Sequence, residues 1–217
     1  MTSTLPLIGL AGRKRHGKNR AASHLLPLGY RPVAFADPLR ELVAAINPAV
    51  ATVQGELVHY VETVSDLGYE AAKDEVDEVR RVLVDTGTKG VRETLGVRWG
   101  LEELLGSGLW VALADKRIRD ALSHKRLEGY YASEQRTVRH WRDLLAFTDV
   151  RFPDEADLIR SHGGIVVRVV RPGLARPADE DISETALDDY DVDYTILNDG
   201  TPRGLELAVE AFTRELA

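Results

Sequence analysis

The chain has 217 residues, no cysteine and a formal net charge of −7, from 28 Lys and Arg against 35 Asp and Glu. Disulfides, thiolate chemistry and cysteine-built zinc sites are thereby excluded, and the mean field opposes polyanions, so nucleic acid is not an expected partner. With 44% hydrophobic residues and no apolar run long enough to span a bilayer, the sequence predicts a cytoplasmic α/β domain with no membrane contact and room for a sizeable core.

Leu7-Ile8-Gly9-Leu10-Ala11 has the pattern of a short buried strand, and Ala21, Ala22, Leu25 and Leu26 recur at helical spacing. Between them Gly12-Arg13-Lys14-Arg15-His16-Gly17-Lys18 fits G-x-x-x-x-G-K, a loop whose backbone N–H groups cradle phosphate at a helix N-terminus while the lysine reaches the outer phosphates. Gly12 to Arg20 is therefore the expected nucleotide-phosphate site, with His16 read as a loop donor. Asn19 stands where the common motif has a Ser or Thr hydroxyl for magnesium, so an amide oxygen or a bridging water is the expected substitute. The bland alternative is a solvated basic loop, since five of the eight residues from Arg13 to Arg20 are Lys or Arg.

Pro32 to Ala36 reads as a second strand, and Asp37-Pro38 opens a helix that Asn47-Pro48 stops. Asp37 and Arg40 lie on its first turn. They are either a cap and a surface charge, or a carboxylate that orients an attacking oxygen and a guanidinium that grips an acceptor phosphate. Residues 50 to 122 read as mainly helical, too much for a simple crossover, and predict an inserted acceptor-binding region. Residues 123 to 143, with Arg126, Arg136, Arg139 and Arg142, read as a lid, with Arg136 and Arg139 expected to close over the phosphates.

Strands return at 144 to 148, 165 to 170 and 194 to 197, with helices from about Pro153 and Pro202. Leu144 to Asp149 is an apolar strand ending in an acid, which places Asp149 near a metal, directly or through water. Arg151 follows and either offsets charge on a transferred phosphoryl group or pairs with Asp154 or Glu155. Asn198, after the last strand, is either part of a turn or a donor to a purine edge. The whole predicts a mostly parallel sheet with helices on both faces, of the P-loop NTPase type: core at about 1–49 and 144–217, helical insertion at about 50–122, lid at about 123–143.

The segments GLAGRKRHGKN, FADPLRE, TDVRFPDEA, VVRVVRPG, ISETALDDYDVDY and ILNDGT, in this order, resemble the deoxynucleoside monophosphate kinases of tailed bacteriophages. The resemblance runs from residue 7 to about 201. It implies a kinase that uses ATP and magnesium to convert deoxynucleoside monophosphates to diphosphates, in the host cytoplasm if phage-encoded. By position it implies donor phosphates on Gly12 to Asn19 and acceptor-side or catalytic roles for Asp37, Arg40, Asp149 and Arg151. It adds Arg92, near Thr86-Gly87-Thr88, and Trp110 to the acceptor side. Lys18, Asp37 and Arg151 are the expected catalytic residues. Tyr60, Trp99, Trp110 and Tyr130 are candidates for deoxyribose selection. Kinases of another small acceptor such as dephospho-coenzyme A, a nucleotide-dependent switch and a nucleic-acid-binding protein are the rival readings, and a homodimer stays open.

Overall fold

In the computed structural model, residues 5–51, 55–101, 108–122, 144–174 and 182–216 are described. In chain order the first half holds β1 (Ile8–Ala11), α1 (Lys18–Ser23), β2 (Tyr30–Val33), α2 (Asp37–Ile46), β3 (Ala49–Ala51), β4 (Leu57–His59), α3 (Tyr60–Leu67), α4 (Tyr69–Glu75) and α5 (Asp77–Val84). A π-helical stretch at Asp85–Val97 follows, then α6 (Gly108–Leu122), β5 (Leu144–Val150), α7 (Pro153–Ser161), β6 (Ile165–Val170), α8 (Ile182–Thr185), β7 (Tyr194–Leu197) and α9 (Pro202–Glu215). The chain divides into two compact units, Met1–Phe35 with Leu113–Ala217, and Ala36–Ala112.

The first unit is built on a five-stranded sheet of order β2-β5-β1-β6-β7, parallel at every pairing. All four residues of β1 are buried because both faces of the central strand are covered, which is why it reads as a continuous apolar run. On one face Ile8, Leu10, Ala146, Val167 and Val169 pack with Ala21, Ala22 and Leu25 of the α1 region and with Leu205, Val209 and Phe212 of α9. On the other, Leu145, Phe147 and Val166 pack with Ala114 and Ile118 of α6 and Ala156 and Ile159 of α7. The expected α/β fold, with helices on both faces of a parallel sheet, is what the structure shows. Because the strands are parallel, the residues after β1, β5, β6 and β7 emerge at one edge, where ligands bind in such sheets.

One strand differs from expectation. The second strand is Tyr30–Val33, earlier than the expected Pro32 to Ala36. It lies at the sheet's edge, where Pro32, lacking an N–H, is tolerated.

In the second unit, α2 (Asp37–Ile46) is closed by Asn47, whose N–H donates to the Val43 carbonyl at 2.8 Å and whose left-handed backbone (φ 46°) then turns the chain out of the helix. Antiparallel β3 and β4 form a short hairpin inside a region expected to be mainly helical. Val43, Val50, Tyr60, Ala72, Val76, Val79 and Leu83 make this unit's core. In the π-helical stretch Gly87 lies against Leu39, whose Cδ2 would be 2.8 Å from an added Cβ.

Candidate phosphate-binding site

β1 delivers the chain to the C-terminal edge of the sheet at Gly12. There the backbone takes φ +130°, and a Cβ would sit 2.4 Å from the Val169 carbonyl oxygen. Only glycine fits that position, because any side chain would meet the neighbouring strand's backbone. Gly17 (φ +99°) makes the second turn and leads into α1. The Lys18 ammonium folds back over the loop, donating to the carbonyl of Gly12 and, at 3.0 Å, to that of Arg13.

Two braces hold the loop. His16 Nδ1 lies 3.2 Å from the Val169 carbonyl oxygen and 3.4 Å from the Arg171 backbone nitrogen. Burial, with Lys18 and Arg13 nearby, pushes the His16 pKa down, against the backbone bond to Val169 and the Glu184 carboxylate that raise it. Asn198, buried at the end of β7, donates through Nδ2 to the His16 carbonyl at 3.0 Å and accepts from the Gly200 N–H at 3.0 Å. Of the two readings of Asn198, a turn residue or a donor to a purine edge, the turn is seen in its bond to Gly200, and one amide N–H goes to the loop. Asn19 and Arg20 are exposed on the first turn of α1.

The end of β5 lies beside the loop, with Ala11 in register with Val150. Asp149 Oδ1 accepts from the Phe35 N–H at 2.7 Å. Arg151 does not pair with Asp154 or Glu155 through its side chain. Its backbone N–H donates to Glu155 Oε2 at 2.7 Å, and the Phe152 N–H donates to the same oxygen at 3.2 Å. Burial pushes the Glu155 carboxyl up to about 8, with Asp149 and Asp154 adding to the rise and the two N–H groups opposing it.

The Arg151 guanidinium turns toward the segment after α8's start, where Nη1 meets Ser183 Oγ and Glu184 Oε1, each at 2.9 Å. Glu184 Oε2 in turn accepts from the Lys14 backbone N–H in the loop, and Arg13 pairs with Asp188. Arg168 on β6, in register with Ala11, donates to the Leu187 and Tyr190 carbonyls at 2.6 and 2.8 Å and anchors the same segment. Gly12, Arg13, His16, Arg151, Glu184 and Asp188 are among the residues that line a cavity of about 420 Å³ here.

Asp37 and Arg40 belong to the second unit. Arg40 Nη1 lies 3.2 Å from Asp37 Oδ1, and its Cζ sits 4.0 Å from the centroid of the Tyr69 ring. Arg92 is half-buried in the π-helical stretch and Trp110 is buried in α6. Tyr60 is buried and Trp99 is exposed. Arg126, Arg136, Arg139, Arg142 and Tyr130, the expected lid residues and one selectivity candidate, lie outside the described residues.

The structure therefore gathers Gly12 to Lys18, Asn198 and Arg151 around one loop. Sequence reasoning named Glu155 only as an ion-pair partner of Arg151, and missed Ser183, Glu184, Asp188 and Arg168. Glu155 was visible as an acid in the first turn after Pro153; Ser183, Glu184 and Asp188 had only their membership of ISETALDDYDVDY.

Strand, glycine-bounded loop, folded-back lysine and helix make up the turn from β1 into α1 of this α/β fold. A relative from Acanthamoeba polyphaga mimivirus, "Putative deoxynucleotide monophosphate kinase", is 30% identical over 183 residues, covering 78% of this chain and 76% of that one. The chain belongs to this family of nucleotide kinases. No family model matches it. Among solved structures it is similar to TT1252 from Thermus thermophilus, at 18% identity and a TM-score of 0.44 over 99% of this chain and 100% of that one. Among the described residues no helix is long and apolar enough to cross a membrane, and no group of three or more His, Asp or Glu is placed to hold a metal ion.

Proposed function

We propose that the chain transfers the γ-phosphoryl group of ATP to a deoxynucleoside 5′-monophosphate, as a cytoplasmic enzyme of the phage type. The observation that carries this reading is the Lys18 ammonium lying on the Gly12 and Arg13 carbonyls inside a loop turned by two positive-φ glycines. Loop N–H groups and Lys18 would hold the β and γ phosphates, Lys18 exchanging carbonyl oxygens for phosphate oxygens. Arg151, at the end of β5, would offset charge on the transferred group. On the acceptor side Arg40 and Arg92 would fix the monophosphate, with Asp37 holding Arg40 in orientation and Trp110 as a further substrate-side residue. Magnesium, when bound, would neutralise phosphate charge, and Asn19 and Asp149 are the residues that would hold it, directly or through water. Positioning and electrostatics supply most of the rate in such a transfer.

The test is ADP release from ATP and magnesium against dAMP, dGMP, dCMP, dTMP, their ribose counterparts and dephospho-coenzyme A, with a control lacking acceptor. Release that requires a deoxynucleoside monophosphate supports the reading. Release without acceptor marks an ATPase or switch, release only with dephospho-coenzyme A marks a different kinase, and no release overturns the assignment.

A further inference from the structure

The Glu184 carboxylate uses its two oxygens on two different parts of the site. Oε2 accepts from the Lys14 N–H within the loop, and Oε1 accepts from Arg151 Nη1 at 2.9 Å. It is held away from solvent, with a side chain 15% exposed against 35% for Arg151. A guanidinium carries five N–H donors in a rigid fork. The two on Nη1 have Ser183 Oγ and Glu184 Oε1 as partners, and the three on Nη2 and Nε have no hydrogen-bond partner among the described residues, which leaves them to an anion. Fixing one end of the fork in this way aims the other end and removes the rotamer freedom that a long side chain would otherwise lose on binding.

The neighbouring contacts keep Glu184 where it is. Arg13 pairs with Asp188 four residues on, and Arg168 holds the Leu187 and Tyr190 carbonyls. The backbone of Arg151 is fixed separately by Glu155. Arg151 is thus clamped at both ends, by Glu155 through its N–H and by Glu184 through its guanidinium, and the second clamp ties it to the loop.

We propose that Glu184 is a positioning residue for phosphoryl transfer: it couples the Arg151 guanidinium to the Lys14 N–H, so that the arginine is delivered to the loop at a set distance. The proposal rests on the kinase reading above. Glutamine at 184 can accept from only one of the two donors, since its NH₂ group would face the other, so the E184Q substitution breaks the coupling with little change in volume.

The experiment is a double-mutant cycle of wild type, E184Q, R151M and E184Q/R151M. Turnover and KM are measured with ATP and the best deoxynucleoside monophosphate, and ATP affinity is measured by calorimetry without acceptor. The expected result is a kcat roughly 10- to 100-fold lower in E184Q with both KM values within about threefold, and no further loss when E184Q is added to R151M, as for residues that act as a unit. Thermal unfolding of each variant identifies any that fail to fold, and E184A replaces E184Q in that event. Additive losses in the cycle overturn the proposal, as does E184Q binding ATP several-fold tighter with undiminished kcat, the mark of a carboxylate that only competes with phosphate. A wild-type protein that transfers phosphate to no deoxynucleoside monophosphate removes the kinase reading itself, whereas an active wild type with an additive cycle removes this proposal alone.

Discussion

The Asn198 side chain donates to the His16 carbonyl at 3.0 Å, so the last strand of the sheet holds the far end of a loop that begins 186 positions earlier, at Gly12. The same amide accepts from the Gly200 N–H, and a Cβ on Gly17 would meet Nδ2 at 2.7 Å. Replacing Asn198 by Ala leaves a carbonyl and an N–H without their partner in a part-buried place. The expected cost is about 1–3 kcal/mol of stability by denaturant unfolding, together with weaker ATP binding by calorimetry. An Asn198→Ala protein that binds ATP as the wild type does would show that the brace is irrelevant to the loop's shape.

Lys18 offers a sharper test of the loop's chemistry, because its ammonium donates to the Gly12 and Arg13 carbonyls of the loop itself. Lys18→Ala is expected to lower turnover by at least about 10²-fold while leaving thermal unfolding within a few degrees, a shift of about 1 kcal/mol for a chain this size. A folded variant with near-normal ADP release would remove the loop from the mechanism.

The sheet was legible because its central strands are covered and so appear as apolar runs, unbroken in Ile8–Ala11 and interrupted by Arg168 alone in Ile165–Val170. The loop was legible because its glycines are demanded by backbone geometry, and Gly12 has no room for a side chain beside Val169. The β3–β4 hairpin was not, since three-residue strands are too short to display a period. Glycines 87, 90 and 96 disfavour a helix, yet the π-helical stretch runs through them. Glu184 was beyond reach for a different reason. Its partner is a backbone N–H 170 residues away, and neither end of such a contact leaves a mark on local spacing.

Glu155 links this site to pH. Its carboxyl is pushed up to about 8, chiefly by burial, above the ordinary carboxylate value of about 4.3 in an unfolded chain. A raised folded pKa means that the native state holds the proton more tightly. The stabilising contribution is therefore complete below about pH 4 and is lost as pH rises toward and through about 8. Glu155→Gln keeps an oxygen for the Arg151 and Phe152 N–H groups and carries no proton to lose. Urea unfolding of both proteins at acid and alkaline pH should show the wild type losing at least about 1 kcal/mol relative to the variant on the way up. A difference that stays constant with pH would place the Glu155 carboxyl back in the ordinary range.

The acceptor side is tested through Tyr69, whose ring lies 4.0 Å from the Arg40 Cζ while Asp37 holds Nη1 at 3.2 Å. A guanidinium over an aromatic face gains about 0.5–2 kcal/mol and is held flat against it, so Tyr69 and Asp37 together fix the plane of the fork that is proposed to grip the acceptor phosphate. Tyr69→Leu removes the π face and Tyr69→Phe retains it. Steady-state kinetics should show the acceptor KM rising by about 3- to 10-fold in Tyr69→Leu, the equivalent of roughly 1 kcal/mol, and remaining near the wild-type value in Tyr69→Phe. The KM for ATP should move in neither variant. Equal losses in the two variants would assign the effect to the tyrosine hydroxyl, and a rise in both KM values would assign it to general disturbance of α4.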